Sequence, residues 1–188
     1  MRIFTAALLA LLMSACQAPS LHPLYLPADK LTVPGFEGKW ADEKHNVLIT
    51  VHPPDDFAYE IEMQPKELSS PWQYEARLVK LGAHVYADML LKTAPNHFDG
   101  CIGCIPAHSF WRLNLDGDSM KPAYLDSAWL NKYLKANPKS IAHVWSSLDD
   151  ENLAILTAPM AVLRAFVTKV SDQKGAMSEW ETLHRCAH

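Results

Sequence analysis

Phe57-Ala58-Tyr59-Glu60-Ile61-Glu62-Met63 alternates apolar and polar positions. Phe57, Tyr59, Ile61 and Met63 fall on one side and Glu60 and Glu62 on the other, the period-two pattern of a strand with one wet face. Val47 to Val51 reads as a strand before it, across the turn His52-Pro53-Pro54-Asp55-Asp56. Tyr74 to Leu81 and Val85 to Leu91 form another pair, joined at Gly82. Phe110 to Leu115 leads into Asp116-Gly117, a strong hairpin dipeptide, and Met120 to Leu125 is the return strand. Short strands joined in order by tight turns predict an antiparallel meander.

Two stretches change to helical spacing. Ser127 can cap a helix that carries Trp129, Leu130, Tyr133 and Leu134 on one side, and Asn137-Pro138 stops it. Leu153 to Leu156 reads as a strand. Thr157-Ala158-Pro159 then opens a second helix, with Met160, Leu163, Phe166, Val167 and Val170 as its apolar stripe. The predicted fold class is α+β: a curved antiparallel sheet or small barrel, with two helices packed on the sheet or plugging one end.

The first residues follow a different logic. Met1-Arg2 is a short positive start, and Ile3 to Met13 is an apolar run interrupted only by Thr5. Ser14-Ala15 then supplies small residues before Cys16, completing the layout of a secretory signal. The run is too short to span a bilayer, which needs about 20 residues. The order Leu12-Met13-Ser14-Ala15-Cys16 resembles the lipobox of bacterial lipoproteins. That resemblance implies a signal peptide over 1–15, cleavage before Cys16, diacylation of its thiol and acylation of its new amine by chains such as palmitate. Gln17, rather than Asp, after the cysteine implies export to the outer membrane, facing the periplasm. Residues 16–34, with Pro19, Pro23, Pro27 and Pro34, read as a partly extended tether, and 35–188 as a single globular domain.

Charge narrows the partners. The chain carries -4 at pH 7, and loss of 1–15 removes Arg2 and no acid, leaving about -5. No basic stripe appears, so nucleic acid is a poor partner. Membrane contact is expected through the N-terminal lipid instead.

Three cysteines then remain. HFDGCIGCIPAH, residues 97–108, spaces His97, Cys101, Cys104 and His108 as His-x₃-Cys-x₂-Cys-x₃-His, and Cys186 lies near the C-terminus. These five residues could supply a tetrahedral zinc site. In an exported protein the pair Cys101 and Cys104 more simply closes a short-loop disulfide. Cys186 is then free, or pairs with one of the other two. A redox-active dithiol needs a strand-to-helix junction, whereas strands flank this loop.

Phe36-Glu37-Gly38-Lys39-Trp40 resembles the Phe-x-Gly-x-Trp signature of lipocalins. In that family the glycine lets the chain bend into the barrel and the tryptophan closes one end. No final-strand arginine is evident to pack on Trp40, and the helix at 127–136 is foreign to the family. Three blocks, Ala107 to Leu113, Asp126 to Leu130 and Ile155 to Pro159, are similar to a group of bacterial envelope lipoproteins, which implies an envelope protein and no particular activity.

No catalytic constellation stands out. His108 and Ser109 are adjacent on a strand and point to opposite faces. The chain has no Gly-x-Ser-x-Gly elbow, no His-Glu-x-x-His and no phosphate loop. Asn114-x-Asp116-Gly117-Asp118 has the wrong order for an EF-hand and reads as a turn. The leading expectation is a lipid-anchored envelope protein without an evident catalytic site or cofactor, binding an apolar small molecule or an envelope protein partner. The alternative is a metal-binding or thiol-redox protein using the Cys101/Cys104 loop. A weaker third reading, an envelope hydrolase, requires His108 or His84 to meet an acid and a hydroxyl.

Overall fold

The computed structural model describes residues 17–93, 106–148 and 151–187. Cys16, His97, Cys101 and Cys104 lie outside the described residues. The strands are β1 (Gly38–Ala41), β2 (Val47–Val51), β3 (Ala58–Pro65), β4 (Trp72–Leu81), β5 (His84–Thr93), β6 (His108–Asp116) and β7 (Ser119–Leu125). Helix α1 (Ser127–Ala136), the hairpin β8 (His143–Leu148) and β9 (Glu151–Leu156), and helix α2 (Met160–Val170) follow. Two short strands, β10 (Met177–Glu179) and β11 (Leu183–Arg185), end the fold.

β1 to β7 pair in sequence order, each antiparallel to the next. β11 then bridges β7 and β1, pairing Leu183 with Met120 and Trp40 with Arg185. The result is a closed eight-stranded antiparallel barrel with two packed helices. Closure leaves the barrel strands no exposed edge. β10 pairs with β7 beyond the point where β11 ends, Met177 opposite Leu125. This architecture is compatible with a lipocalin-like fold.

Alternation sorts the side chains into two cores. Ile49, Ile61, Met63, Ala76, Leu78, Ala87, Met89, Trp111 and Met120 point into the barrel. The outer faces of β4 to β7 present Val79, Leu81, Tyr86, Phe110 and Leu125 to the helices, which contribute Leu130, Leu134, Leu163, Phe166 and Val167. Both helices therefore lie on the outer wall, rather than plugging an end. Phe57 departs from the alternation: it sits in the turn at φ 63°, and the buried face begins at Tyr59.

The cap of α1 is Asp126, one residue before the expected Ser127. Its carboxylate accepts from Trp129 N at 2.7 Å and from Ser178 Oγ at 2.6 Å, joining the helix start to β10. Ser127 is already helical.

The arginine that the sequence did not reveal is Arg185. Its guanidinium lies over the Trp40 ring, 4.2 Å from the centroid. Nη2 donates to Gly35 O at 2.6 Å, Nη1 to Glu37 O at 2.9 Å, and Nε to Asp118 Oδ1 at 3.1 Å. Gly38 is required on two counts: φ is 128°, and a Cβ there would run into Arg185 Nη1. Trp40 Nε1 donates to Phe36 O at 3.0 Å, and Trp40 is wholly buried. These groups plug the barrel at the end that holds the β2–β3, β4–β5 and β6–β7 hairpins.

Residues 17–31 run across the barrel's outer wall. Ala18 N donates to Leu125 O, Ser20 exchanges backbone bonds with His108, and Leu21 N donates to Leu156 O. Ala18, Ser20 and Leu24 are buried to within 1%. The prolines that suggest an extended tether instead accompany a segment whose apolar and backbone groups find partners on the barrel.

Candidate functional site

At the end opposite Trp40, the barrel opens into a cavity of about 330 Å³, within the usual range for small-molecule sites. Its walls follow from strand alternation. Met63 and Pro65 come from β3, Trp72 and Tyr74 from β4, Leu91 from β5, Ser109 from β6 and Tyr124 from β7. Trp180, just after β10, and Gln17, from the N-terminal segment, close the sides. Deeper in, the barrel is closely packed: around Met89, Trp111 and Met120 only about 10 Å³ has room for a water-sized guest.

The aromatic groups are organised in pairs. Trp72 stacks on Tyr74 with centroids 6.4 Å apart, and Trp180 meets Trp111 edge to face at 5.1 Å. Trp111 Nε1 donates to Gln17 Oε1 at 2.9 Å, which fixes the N-terminal segment against the cavity wall. Trp72 Nε1 is buried and has no hydrogen-bond partner among the described residues. Burial pushes the Tyr74 phenol far above its usual range, so this end of the barrel disfavours negative charge. Glu179 stands at the rim in an ion pair with Lys121 at 2.5 Å, and that contact holds its carboxyl below the ordinary range.

His108 divides its two sides as the strand requires. Its backbone borders the cavity region next to Ser109, while its imidazole lies on the outer wall. Nδ1 is 2.5 Å from Asp88 Oδ1, and Asp88 is 1% exposed. The second carboxylate oxygen accepts from Leu24 N. Leu24 O in turn accepts from Arg164 Nη1 at 3.0 Å, and that guanidinium also pairs with Asp29. Asp88 therefore serves two elements at once, the strand β6 and the segment crossing over it. Ser109 faces the barrel interior, and Ser20 Oγ donates to His22 O, so neither hydroxyl is bonded to the imidazole. His84 pairs with Asp172 at 2.9 Å, beside Arg112, in a partly exposed cluster on the outer wall.

Of the five residues proposed for zinc, His108 and Cys186 are described, and they lie at opposite ends of the barrel. His108 starts β6 at the cavity end and is committed to Asp88. Cys186 N donates to Lys39 O at the plugged end, a full strand length away. No group of three or more His, Cys, Asp or Glu capable of holding a metal ion occurs among the described residues.

Two expectations are corrected here. Cys186 carries a free thiol, and no disulfide occurs among the described residues. Cys186 is held beside β1 by its backbone bond to Lys39 O, with no second described cysteine to pair with, and Cys101 and Cys104 lie outside the described residues. Further, no described helix is long and apolar enough to cross a membrane, so the described part of the chain adds no helical span to the expected membrane placement.

Sequence reasoning missed Arg185, Asp88 and the cavity residues Gln17, Trp72 and Trp180. A signal existed for Arg185 alone, since the lipocalin resemblance of Phe36-x-Gly38-x-Trp40 implies an arginine on the final strand packed against the tryptophan. Comparison of the chain with protein-family models, with curated proteins and with solved structures found no match.

Proposed function

We propose that this is a binding protein of the bacterial envelope, which holds a small apolar molecule in the barrel end lined by Trp72, Tyr74 and Trp180. The observation that carries the reading is the division of the barrel: plugged by Trp40 and Arg185 at one end, filled in the middle, and hollow at the other. Apolar and aromatic walls exclude water from a guest, which is the driving force such a site needs.

The lipobox-like stretch supports a lipid anchor at Cys16, at the outer membrane. The position of Gln17 fits that reading: an acylated Cys16 would begin one residue from the cavity wall, where apolar guests from the bilayer are most concentrated. Stable anchoring takes more than one acyl chain, which a lipoprotein cysteine provides.

Titration with N-phenyl-1-naphthylamine, an uncharged apolar fluorophore, tests the binding. Saturable one-to-one enhancement, competed by other apolar molecules, is expected. Lack of saturable binding would rule the reading out. Intact-mass measurement of the membrane-extracted protein tests the anchor separately; an unmodified residue 16 removes it without touching the cavity.

A further inference from the structure

We infer that the outer edge of β8 is a pairing site for a second copy of this chain. The two β8 strands lie antiparallel, about a two-fold axis at Trp145.

The bonds around the β8–β9 hairpin show which backbone groups of β8 are free. Ala154 N donates to Asn131 Oδ1 at 2.9 Å, Leu156 N donates to Pro19 O, and Leu156 O accepts from Leu21 N. Ala154 and Leu156 therefore turn their backbone groups away from β8. Their partners across the hairpin are Trp145 and His143, which in an antiparallel ladder turn their own groups away from β9. Ser147 follows by the same alternation. The far edge of β9 is thus covered by α1 and the N-terminal segment. The outward N–H and C=O groups of His143, Trp145 and Ser147 have no backbone partner among the described residues.

β8 also lacks the usual protection of an edge. His143–Leu148 contains no Asp, Glu, Lys, Arg or Pro, the residues with which edge strands discourage pairing. Val144 is 50% exposed and Trp145 is 40% exposed. Consecutive strand residues point to opposite faces, so each face of the hairpin presents an apolar side chain on its outer strand.

A second copy matches this edge in register, polarity and shape. With Trp145 on the axis, His143 of each copy meets Ser147 of the other. Free backbone groups then meet free backbone groups, and each such pair exchanges two N–H···O bonds. Symmetry brings apolar groups to both faces at once: Trp145 beside its counterpart on one, Val144 diagonal to its counterpart on the other. The strand opposes no charge to a like charge. Because β8 is short, the dimer belongs to the weak, reversible class.

The chain from Gln17 on carries both described cores and every described strand and helix, so residues 17–188 are the form tested. Sedimentation from about 1 µM to about 1 mM spans weak affinities. The wild-type chain should pass reversibly from monomer to dimer. Val144→Lys, at an exposed position, sets like charges near each other across the axis. Ser147→Pro deletes an outward N–H and leaves the ladder to β9 intact. Each should weaken association at least about tenfold with an unchanged circular dichroism spectrum. Val162→Lys alters a similarly exposed residue on α2 and should leave association as it is.

A wild-type chain that stays monomeric up to about 1 mM overturns the inference. So does a dimer that survives Val144→Lys, or one that Val162→Lys disperses equally. Val144→Lys carries the test alone if Ser147→Pro does not fold. None of these outcomes bears on the cavity.

Discussion

The Arg185 guanidinium lies 4.2 Å above the Trp40 ring, joining the last strand of the barrel to the first. One face of that cation is occupied by the indole, and its N–H groups cap two carbonyls in the entry segment, at Gly35 and Glu37. The contact closes the barrel circumference and seals its end in a single step. Lysine could supply the charge but not the planar fork.

Replacement of Arg185 by Ala should therefore cost about 2–4 kcal/mol, from a lost cation–π contact and charged hydrogen bonds. Arg185→Lys should recover only part. Gly38→Ala should be damaging by a separate route, about 1–3 kcal/mol from positive φ alone. Thermal or urea unfolding of the variants checks all three, and a shift of under about 0.5 kcal/mol for Arg185→Ala contradicts the role.

Asp88 ties the N-terminal segment to the barrel wall through Leu24 and His108. Asp88→Ala should destabilise by about 3 kcal/mol, since it strands buried donors. Asp88→Asn, which keeps an acceptor, should cost less. Hydrogen exchange at Leu24 N–H reads the effect: it should speed up in Asp88→Ala well before the amides of β2 and β3 do. Uniform acceleration everywhere would show that the segment is not separately held.

Asp126 caps α1 and also receives Ser178 Oγ. Asp126→Ala should cost about 1–2 kcal/mol, and Asp126→Asn much less. Ser127→Ala should not reproduce a cap loss, because the cap is the residue before it. Denaturation midpoints of the three variants distinguish the two positions.

Acid stability should depend on Asp42. Burial alone raises its carboxyl, but donors from Val47 N–H and Asn46 outweigh burial and hold it below the ordinary range. A depressed carboxyl stabilises the fold above its unfolded value. That contribution is present at pH above about 4 and is lost as pH falls through the lower, folded value. Asp42→Asn should be less stable than wild type near neutrality, and the gap should narrow in acid. A gap that is constant from pH 7 to pH 2 would contradict this.

Most of the barrel was legible in the chain. Val47 to Val51 is a strand with the bounds that alternation and turn residues assign, and Asp116-Gly117 makes the hairpin it promised, with Gly117 at φ 57°. These signals are local: a period of two and a dipeptide suited to positive φ need no distant partner. Both helices were visible for the same reason. β8, β10 and β11 were not, because three to six residues with mixed polarity gain strand structure only by pairing with something already in place.

The sequence by itself determined the meander and the two helices, since each rests on side-chain periodicity or turn chemistry within a few residues. Only the tertiary structure decided that the sheet closes, that Arg185 meets Trp40 across 145 positions of chain, and that residues 17–31 pack on the wall. It also decided where the hollow lies. A cavity is the space that distant residues such as Gln17, Trp72 and Trp180 fail to fill together, and no local pattern records what its neighbours will leave empty.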